Sequence, residues 1–371
     1  MKIEGENIGL IDADLINGET RHPNLALMKM SGYLKENDKN VKLLTNYDSL
    51  DNHDRIFISK VFTKSMVPGS VIKRENVTIG GTGFYFDKAE NLPYEIEHHM
   101  PDYNLYEEYI KKQISNGKKP KKYKDYLDYS IGFTTRGCFR KCQFCVNKKY
   151  SRVFKHSPVK EFLDKDRKGI YLWDDNYFGY SGWEDILDEI EETGKYFQFR
   201  QGLDIRLMDE RKAYRFSKTK YKGDYIFAFD YLKEKPIIEK KLKLWKKYTN
   251  KTTKLYILCA YESQGVDDII DTFERIKTLM KYGCLPYIMR YDSYKKSKYR
   301  GMYVQLARWC NQPQFFKKKS FREFCIANQE YHKNKKTLCA SYRAMLEFEK
   351  DNPEVAKKYF DLRYDQLNEY R

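Results

Sequence analysis

The chain has 371 residues, of which 41% are hydrophobic and 16% aromatic, which is ample for more than one core and too apolar for a wholly disordered chain. Its 70 Lys and Arg against 53 Asp and Glu leave a net charge of +17, which suits a polyanionic partner and equally suits a chain simply rich in Lys, Asn, Tyr and Ile. No apolar run approaches the roughly 18 residues that span a bilayer, and the first residues lack a secretory-signal layout, so a cytoplasmic location and no membrane partner are expected.

In chain order, IGLIDADL (8–15), VKLLTN (41–46), RIFISKVF (55–62) and VTIGG (77–81) read as short strands, and NLALMKMSGYLKEN (24–37) has helical spacing. Strands separated by helical patterns predict a parallel, Rossmann-like sheet, assigned to residues 1–125. The stretch 82–130 has less pattern, and GKKPKKYKDY within it reads as a solvated linker. From Ile131 a second alternation begins, with strands at IGFTT (131–135), IYLWD (170–174), FQFRQ (197–201), YIFAFD (225–230), LYILCA (255–260) and PYIMR (286–290). Helical patterns fill the intervals from 183 onward. This predicts a partial (β/α)6 TIM-type barrel over 126–300, with its chemistry at the carboxyl ends of the strands. Residues 301–371 read as a helical C-terminal extension, so the expected fold class is α/β throughout the first two domains.

None of the eight cysteines precedes Cys138, and three then fall within eight residues, Cys138, Cys142 and Cys145, spaced CxxxCxxC. Thiolates are soft ligands that select zinc or iron–sulfur centres. With no fourth cysteine nearby, a cubane cluster held here would keep one iron open to another ligand. A zinc knuckle completed by a distant residue such as His156 is the alternative. Cys259 and Cys284 read as small core residues, and Cys310, Cys325 and Cys339 are spread through the C-terminal helices.

The run TTRGCFRKCQFCVNKKY, with Phe144 before the last cysteine, resembles the CxxxCxΦC signature of the radical S-adenosylmethionine (radical SAM) superfamily. The resemblance implies that Cys138, Cys142 and Cys145 ligate a 4Fe–4S cluster and that Phe144 shapes the adenine side. It implies that the open iron takes the amino and carboxylate groups of S-adenosylmethionine. A one-electron reductant of flavodoxin or ferredoxin type then drives cleavage to a deoxyadenosyl radical, which abstracts hydrogen from substrate. WDDNYF (173–178) follows the second strand of this alternation, where the family meets the methionine amino group, so Asp174, Asp175 and Asn176 are the matching positions. A plain turn is the other reading of these three. In QGLDIR (201–206), Asp204 and Arg206 are candidates for cofactor or substrate contacts, or form an Asp–Arg pair capping the next helix.

The N-terminal region is similar to the cobalamin-binding-type domain that precedes many such barrels. DADLING (12–18) has Asp14 where the family's DxHxxG loop carries histidine and lacks its glycine spacing, which leaves cobalamin doubtful and the domain degenerate. GGTG (80–83) reads as a turn or a phosphate cradle. The resemblance names no substrate: a small molecule or peptide, and an RNA or nucleotide, both remain open, as does a zinc-bound nucleic-acid-binding protein.

Overall fold

The computed structural model of the chain describes residues 4–18, 20, 22–334 and 336–370. It forms two compact units, Met1–Arg200 and Gln201–Arg371. It is a mixed α/β fold in which every sheet of three or more strands has its assigned pairs parallel.

The first unit opens with four parallel strands, β1 (Asn7–Asp12), β2 (Asn40–Leu44), β3 (Arg55–Ser59) and β4 (Val77–Gly80), in the order β2-β1-β3-β4. Both faces are covered, which is why β1 and β3 read as continuous apolar runs rather than alternating ones. Ile8 and Leu10 pack with Leu27, Met28 and Leu34 on one side, while Ile11, Ile56 and Ile58 pack with Leu44 and Leu50 on the other. The helix Leu25–Glu36 starts where Asn24 accepts a hydrogen bond from the Leu27 amide at 3.3 Å, the expected role of Asn at that position. The end of the first predicted strand, residues 13–15, instead belongs to a helical turn, Ala13–Ile16, because the Asp12 carboxylate caps it through the Leu15 amide at 3.1 Å.

The stretch read as a solvated linker is not detached. Its lysines are exposed, but Tyr123 and Tyr126 are buried in the core of the N-terminal sheet, pinning the segment to it. Three further parallel strands follow, β5 (Tyr129–Gly132), β8 (Gly169–Leu172) and β9 (Tyr196–Phe199). Between β5 and β8, the two-residue strands β6 (Thr135–Arg136) and β7 (Phe154–Lys155) pair antiparallel and close the cysteine-bearing loop at its base.

The second unit contains β10 (Tyr225–Ala228), β11 (Thr253–Cys259) and β12 (Leu285–Arg290), paired in that order, with helix Glu210–Lys218 before β10 and helices Lys235–Trp245 and Val266–Lys281 between the strands. All six strands expected in the second alternation are present, three in each unit. The predicted helical extension is realised as helices Arg300–Cys310, Phe321–Glu330, Ala340–Asp351 and Pro353–Tyr359, with two shorter turns. Among the described residues no helix is long and apolar enough to cross a membrane.

One ion cluster in this unit sets a testable pH response. Glu274 accepts a hydrogen bond from the Tyr359 hydroxyl at 2.6 Å and lies 3.1 Å from Lys235 and 3.3 Å from Lys358. Partial burial alone would raise its pKa, but these partners outweigh that and bring it from 4.5 down to about 2. A carboxyl depressed in the folded state stabilises fully above its unfolded value and loses that contribution as pH falls toward its folded value. Wild type is therefore expected to exceed Glu274→Gln in urea-unfolding stability at about pH 6, with the gap narrowing as pH falls from about 4.5 toward 2. A gap that stays constant over that range would contradict the assignment.

Candidate cofactor site

The cysteine loop is held at both flanks by the residues that follow β8. Asp174 is 1% exposed, and its carboxylate accepts four hydrogen bonds: from the Thr134 amide (3.2 Å) and hydroxyl (2.6 Å), and from the Thr135 amide (2.5 Å) and hydroxyl (2.7 Å). Burial nevertheless outweighs these bonds and leaves its pKa raised. Asp175 accepts from the Gly137 amide at 2.7 Å and, with its other oxygen, from the Asn147 side chain at 2.7 Å. Asn176 donates to the Cys138 sulfur at 3.4 Å. Three consecutive residues thus grip the entry to the loop, its exit and its first cysteine.

Gly137 fits this arrangement for a steric reason. Its φ of +88° lies in the left-handed region, and a Cβ there would overlap the Arg152 carbonyl on the returning strand of the loop.

Two sulfurs receive backbone amides, Cys138 from Arg140 at 3.4 Å and Cys145 from Asn147 at 3.3 Å. Burial raises the Cys145 thiol pKa, with the nearby Cys138 adding to it. Amide donors to sulfur suit thiolates that carry charge into a metal centre. Among the described residues no three cysteine, histidine or carboxylate side chains stand in metal-binding geometry, so the sulfurs are gathered by loop position rather than by a formed coordination sphere. Their donor chemistry fits an iron–sulfur cluster with three protein ligands. Phe144 is half-buried beside Cys145.

The buried Asn176 side-chain oxygen, in a residue 3% exposed, has no hydrogen-bond partner among the described residues, an exception to the rule that buried acceptors are satisfied. It belongs to the side chain whose nitrogen touches Cys138. That acceptor suits a cationic or amide donor on a ligand at the first cysteine.

A cavity of about 480 Å³ borders the loop, within the size range of small-molecule sites. Its walls include Gly137, Val146 and Asn147 from the cysteine loop, and Ser59, Gly80 and Gly81 from the carboxyl ends of β3 and β4. This is the end of a parallel sheet where ligands are generally bound. Gly80 and Gly81 of GGTG thus form cavity wall as well as turn.

Two residues the sequence reading did not single out for this site, Lys29 and Glu97, also stand here, together with His156 of the zinc alternative. Lys29, 4% exposed, lies 3.1 Å from Glu97, and Glu97 lies 3.3 Å from His156. Burial pushes the Lys29 pKa down. Burial would raise Glu97, but the His156 hydrogen bond and the Lys29 charge win and hold it at about 2. The one signal in the sequence was a lysine between Met28 and Met30 on the buried face of a helix. The His156 ring is engaged on both sides, by Glu97 and by the Ser157 hydroxyl at 2.9 Å.

Asp204 and Arg206 lie in the second unit. Asp204 accepts from the Arg206 backbone at 3.2 Å and from its Nε at 2.6 Å, and Arg206 also pairs with Glu234. This is the capping pair of the alternative reading, extended to a third residue. Asp230, two residues past β10, went unnoticed in the sequence. Burial raises its pKa to about 6, above the lowering effects of Arg275 and the Leu258 amide.

The loop after β1 departs from a histidine-bearing cobalamin loop. Asp14 is buried, and its carboxylate accepts from the Val61 amide at 2.6 Å and the Ser65 hydroxyl at 2.5 Å. His22 pairs with Asp125 at 2.9 Å. Neither offers cobalt a free imidazole, so the residues present do not fit a cobalamin ligated by histidine from this loop.

No protein-family model and no curated protein matches the chain. Solved structures do. The radical S-adenosylmethionine methyltransferase TsrM from Kitasatospora setae, with cobalamin and a 4Fe–4S cluster bound, aligns at a TM-score of 0.50 and 10% identity over 77% of this chain and 75% of that one. TsrM with tryptophan substrate and the SAM analogue aza-SAM aligns at 0.51 and 11%, over 76% and 72%. The doubt about cobalamin is not borne out by this comparison, since one of these structures carries it. Over about three quarters of its length, the chain shares the fold of these TsrM structures.

Proposed function

We propose that the protein is a radical SAM enzyme, in which Cys138, Cys142 and Cys145 hold a 4Fe–4S cluster. The observation that carries this reading is the loop itself: three thiolates beside a cavity, clamped by Asp174, Asp175 and Asn176, in a chain with a radical SAM fold. When bound, such a cluster supplies one electron to S-adenosylmethionine at its open iron.

The chain's own residues have separable tasks in this reading. Asp174 and Asp175 fix the loop backbone, so that the cysteines are presented without reorganisation. Asn176 offers its unsatisfied oxygen to the cofactor's amino group. Phe144 would line the adenine side of a bound S-adenosylmethionine. The aromatic and aliphatic wall of the cavity, including Phe57, Phe133 and Tyr150, excludes water from a reactive intermediate. Asp204 and Arg206, tied to Glu234, are further proposed contacts to cofactor or substrate.

The proposed layout keeps a Rossmann-like domain at 1–125, a partial (β/α)6 barrel at 126–300 and a helical extension from 301 to 371. A flavodoxin- or ferredoxin-type reductant in the cytoplasm is the proposed electron donor. Cobalamin is proposed only in a form without a histidine ligand from the β1 loop. The zinc alternative is weakened because both ring nitrogens of His156 are already engaged within the protein.

Iron, sulfide and zinc analysis of anaerobically purified protein tests the reading. Close to four iron and four sulfide per chain are expected after reconstitution, with deoxyadenosine formed when dithionite and S-adenosylmethionine are added. One zinc per chain with no sulfide would reject it.

A further inference from the structure

We propose that the lysine ridge at 118–122 binds the phosphodiester backbone of a nucleic acid, at a surface separate from the cofactor cavity. The inference does not depend on the cluster chemistry, because it concerns binding alone.

The ridge is a fixed structure rather than a loose tail. The helix Glu107–Ser115 ends on Gly117, whose φ is +82° and whose amide returns to the Ile114 carbonyl at 2.9 Å, while the Lys118 amide returns to Gln113 at 3.1 Å. Pro120 then opens a short 3-10 helix, Pro120–Tyr123, closed by the Lys122 amide on the Lys119 carbonyl at 3.0 Å. Its far end is anchored by Tyr123 and Tyr126, both buried, and by the Tyr126 hydroxyl on the His22 carbonyl at 3.2 Å.

On this frame Lys118, Lys119, Lys121 and Lys122 are all exposed, and none is paired with a carboxylate among the described residues. Lysines elsewhere are often compensated, as Lys111 is by Glu107 at 2.6 Å and Lys168 by Asp128 at 2.9 Å. In a 3-10 helix, residues three apart eclipse one another with a rise of about 2 Å each. Lys119 caps this helix and the Lys122 amide bonds to its carbonyl at 3.0 Å, so these two lie one turn apart, roughly 6 Å along the axis, a spacing comparable with that of successive phosphates along a strand, while Lys118 and Lys121 flank them in sequence.

The kind of partner follows from what the ridge lacks. Both tyrosines point into the core, so no ring is offered for base stacking, and residues 117–122 carry no aromatic or branched aliphatic side chain to enter a lipid surface. What remains is point charge on a rigid track, which suits backbone contacts without sequence readout.

The test compares wild type with two quadruple variants of the full chain. One replaces Lys118, Lys119, Lys121 and Lys122 by Gln. The other replaces the exposed Lys240 and Lys243, together with Lys233 and Lys247, by Gln, removing equal charge from the second unit. Fluorescence anisotropy with labelled 24-base-pair RNA and DNA duplexes is measured from about 50 to 200 mM salt, alongside sedimentation with phosphatidylserine-containing vesicles. Four phosphate contacts predict a log–log salt slope of about −3.6, or roughly a hundredfold loss of affinity over that range. The ridge variant is expected to lose most of that slope and the control variant little of it, with unchanged thermal melts for both. Preference for RNA over DNA assigns the partner as RNA, and equal binding assigns nucleic acid generally. Equal losses in the two variants, absence of duplex binding by wild type, or binding to vesicles alone would overturn the proposal.

Discussion

Cys142→Ala is expected to leave the protein without bound iron and sulfide and with deoxyadenosine formation at background. A cubane cluster with one open corner already uses the minimum of three protein ligands, and the loop contains no spare cysteine. The five remaining cysteines all lie in the second unit, and four of them are buried. Buried thiols resist the deprotonation that ligation requires, as at Cys259 and Cys284, where burial raises the pKa to about 12 and about 11. Loss should therefore be complete rather than graded. Iron and sulfide analysis with a product assay decides it, and a variant retaining the full cluster would refute the ligand assignment.

The second large effect is expected in the absence of any cofactor. Asp174→Ala removes the common acceptor for four donors in a site where water has no access. The two hydroxyls can turn toward other partners, but the amides of Thr134 and Thr135 cannot. Leaving each buried amide unsatisfied costs about 1–3 kcal/mol, so the apoprotein should lose about 3–5 kcal/mol. A unit of this size converts that into a fall in Tm of roughly 6–20 °C.

Asn176→Ala should behave in the opposite way. Its oxygen has no partner to lose and its nitrogen makes only a long bond to sulfur, so apoprotein stability should change little while deoxyadenosine formation falls sharply. Thermal melts of the two apoproteins separate the roles. If Asp174→Ala melts like wild type, the carboxylate is not the anchor described above.

The contrast between these neighbours shows where sequence reading stops. Asp174, Asp175 and Asn176 are equivalent candidates in the string WDDNYF, because each is a polar residue just beyond a strand. Which becomes an anchor depends on which amides, about forty residues earlier, come within 3 Å, and that is decided by the parallel pairing of β5 with β8. Asp204 and Arg206 are similarly ambiguous in the string QGLDIR, and the ion pair of Arg206 with Glu234, 28 residues on, has no local signal. Lys29 and Glu97 are 68 residues apart, and no local pattern pairs them.

The sequence by itself determined the elements and singled out the three clustered cysteines as candidate ligands. Strands and helices follow from apolar periodicity, and three cysteines within eight residues are legible from their spacing alone, since both signals are local. Only the tertiary structure decided which carboxylates hold the loop, that the β1 loop presents Asp14 as an internal acceptor, and that the tyrosines of the basic stretch turn inward. Those outcomes depend on burial and on distances between residues far apart in the chain, where a polar side chain must bond to whatever donor the fold brings to it.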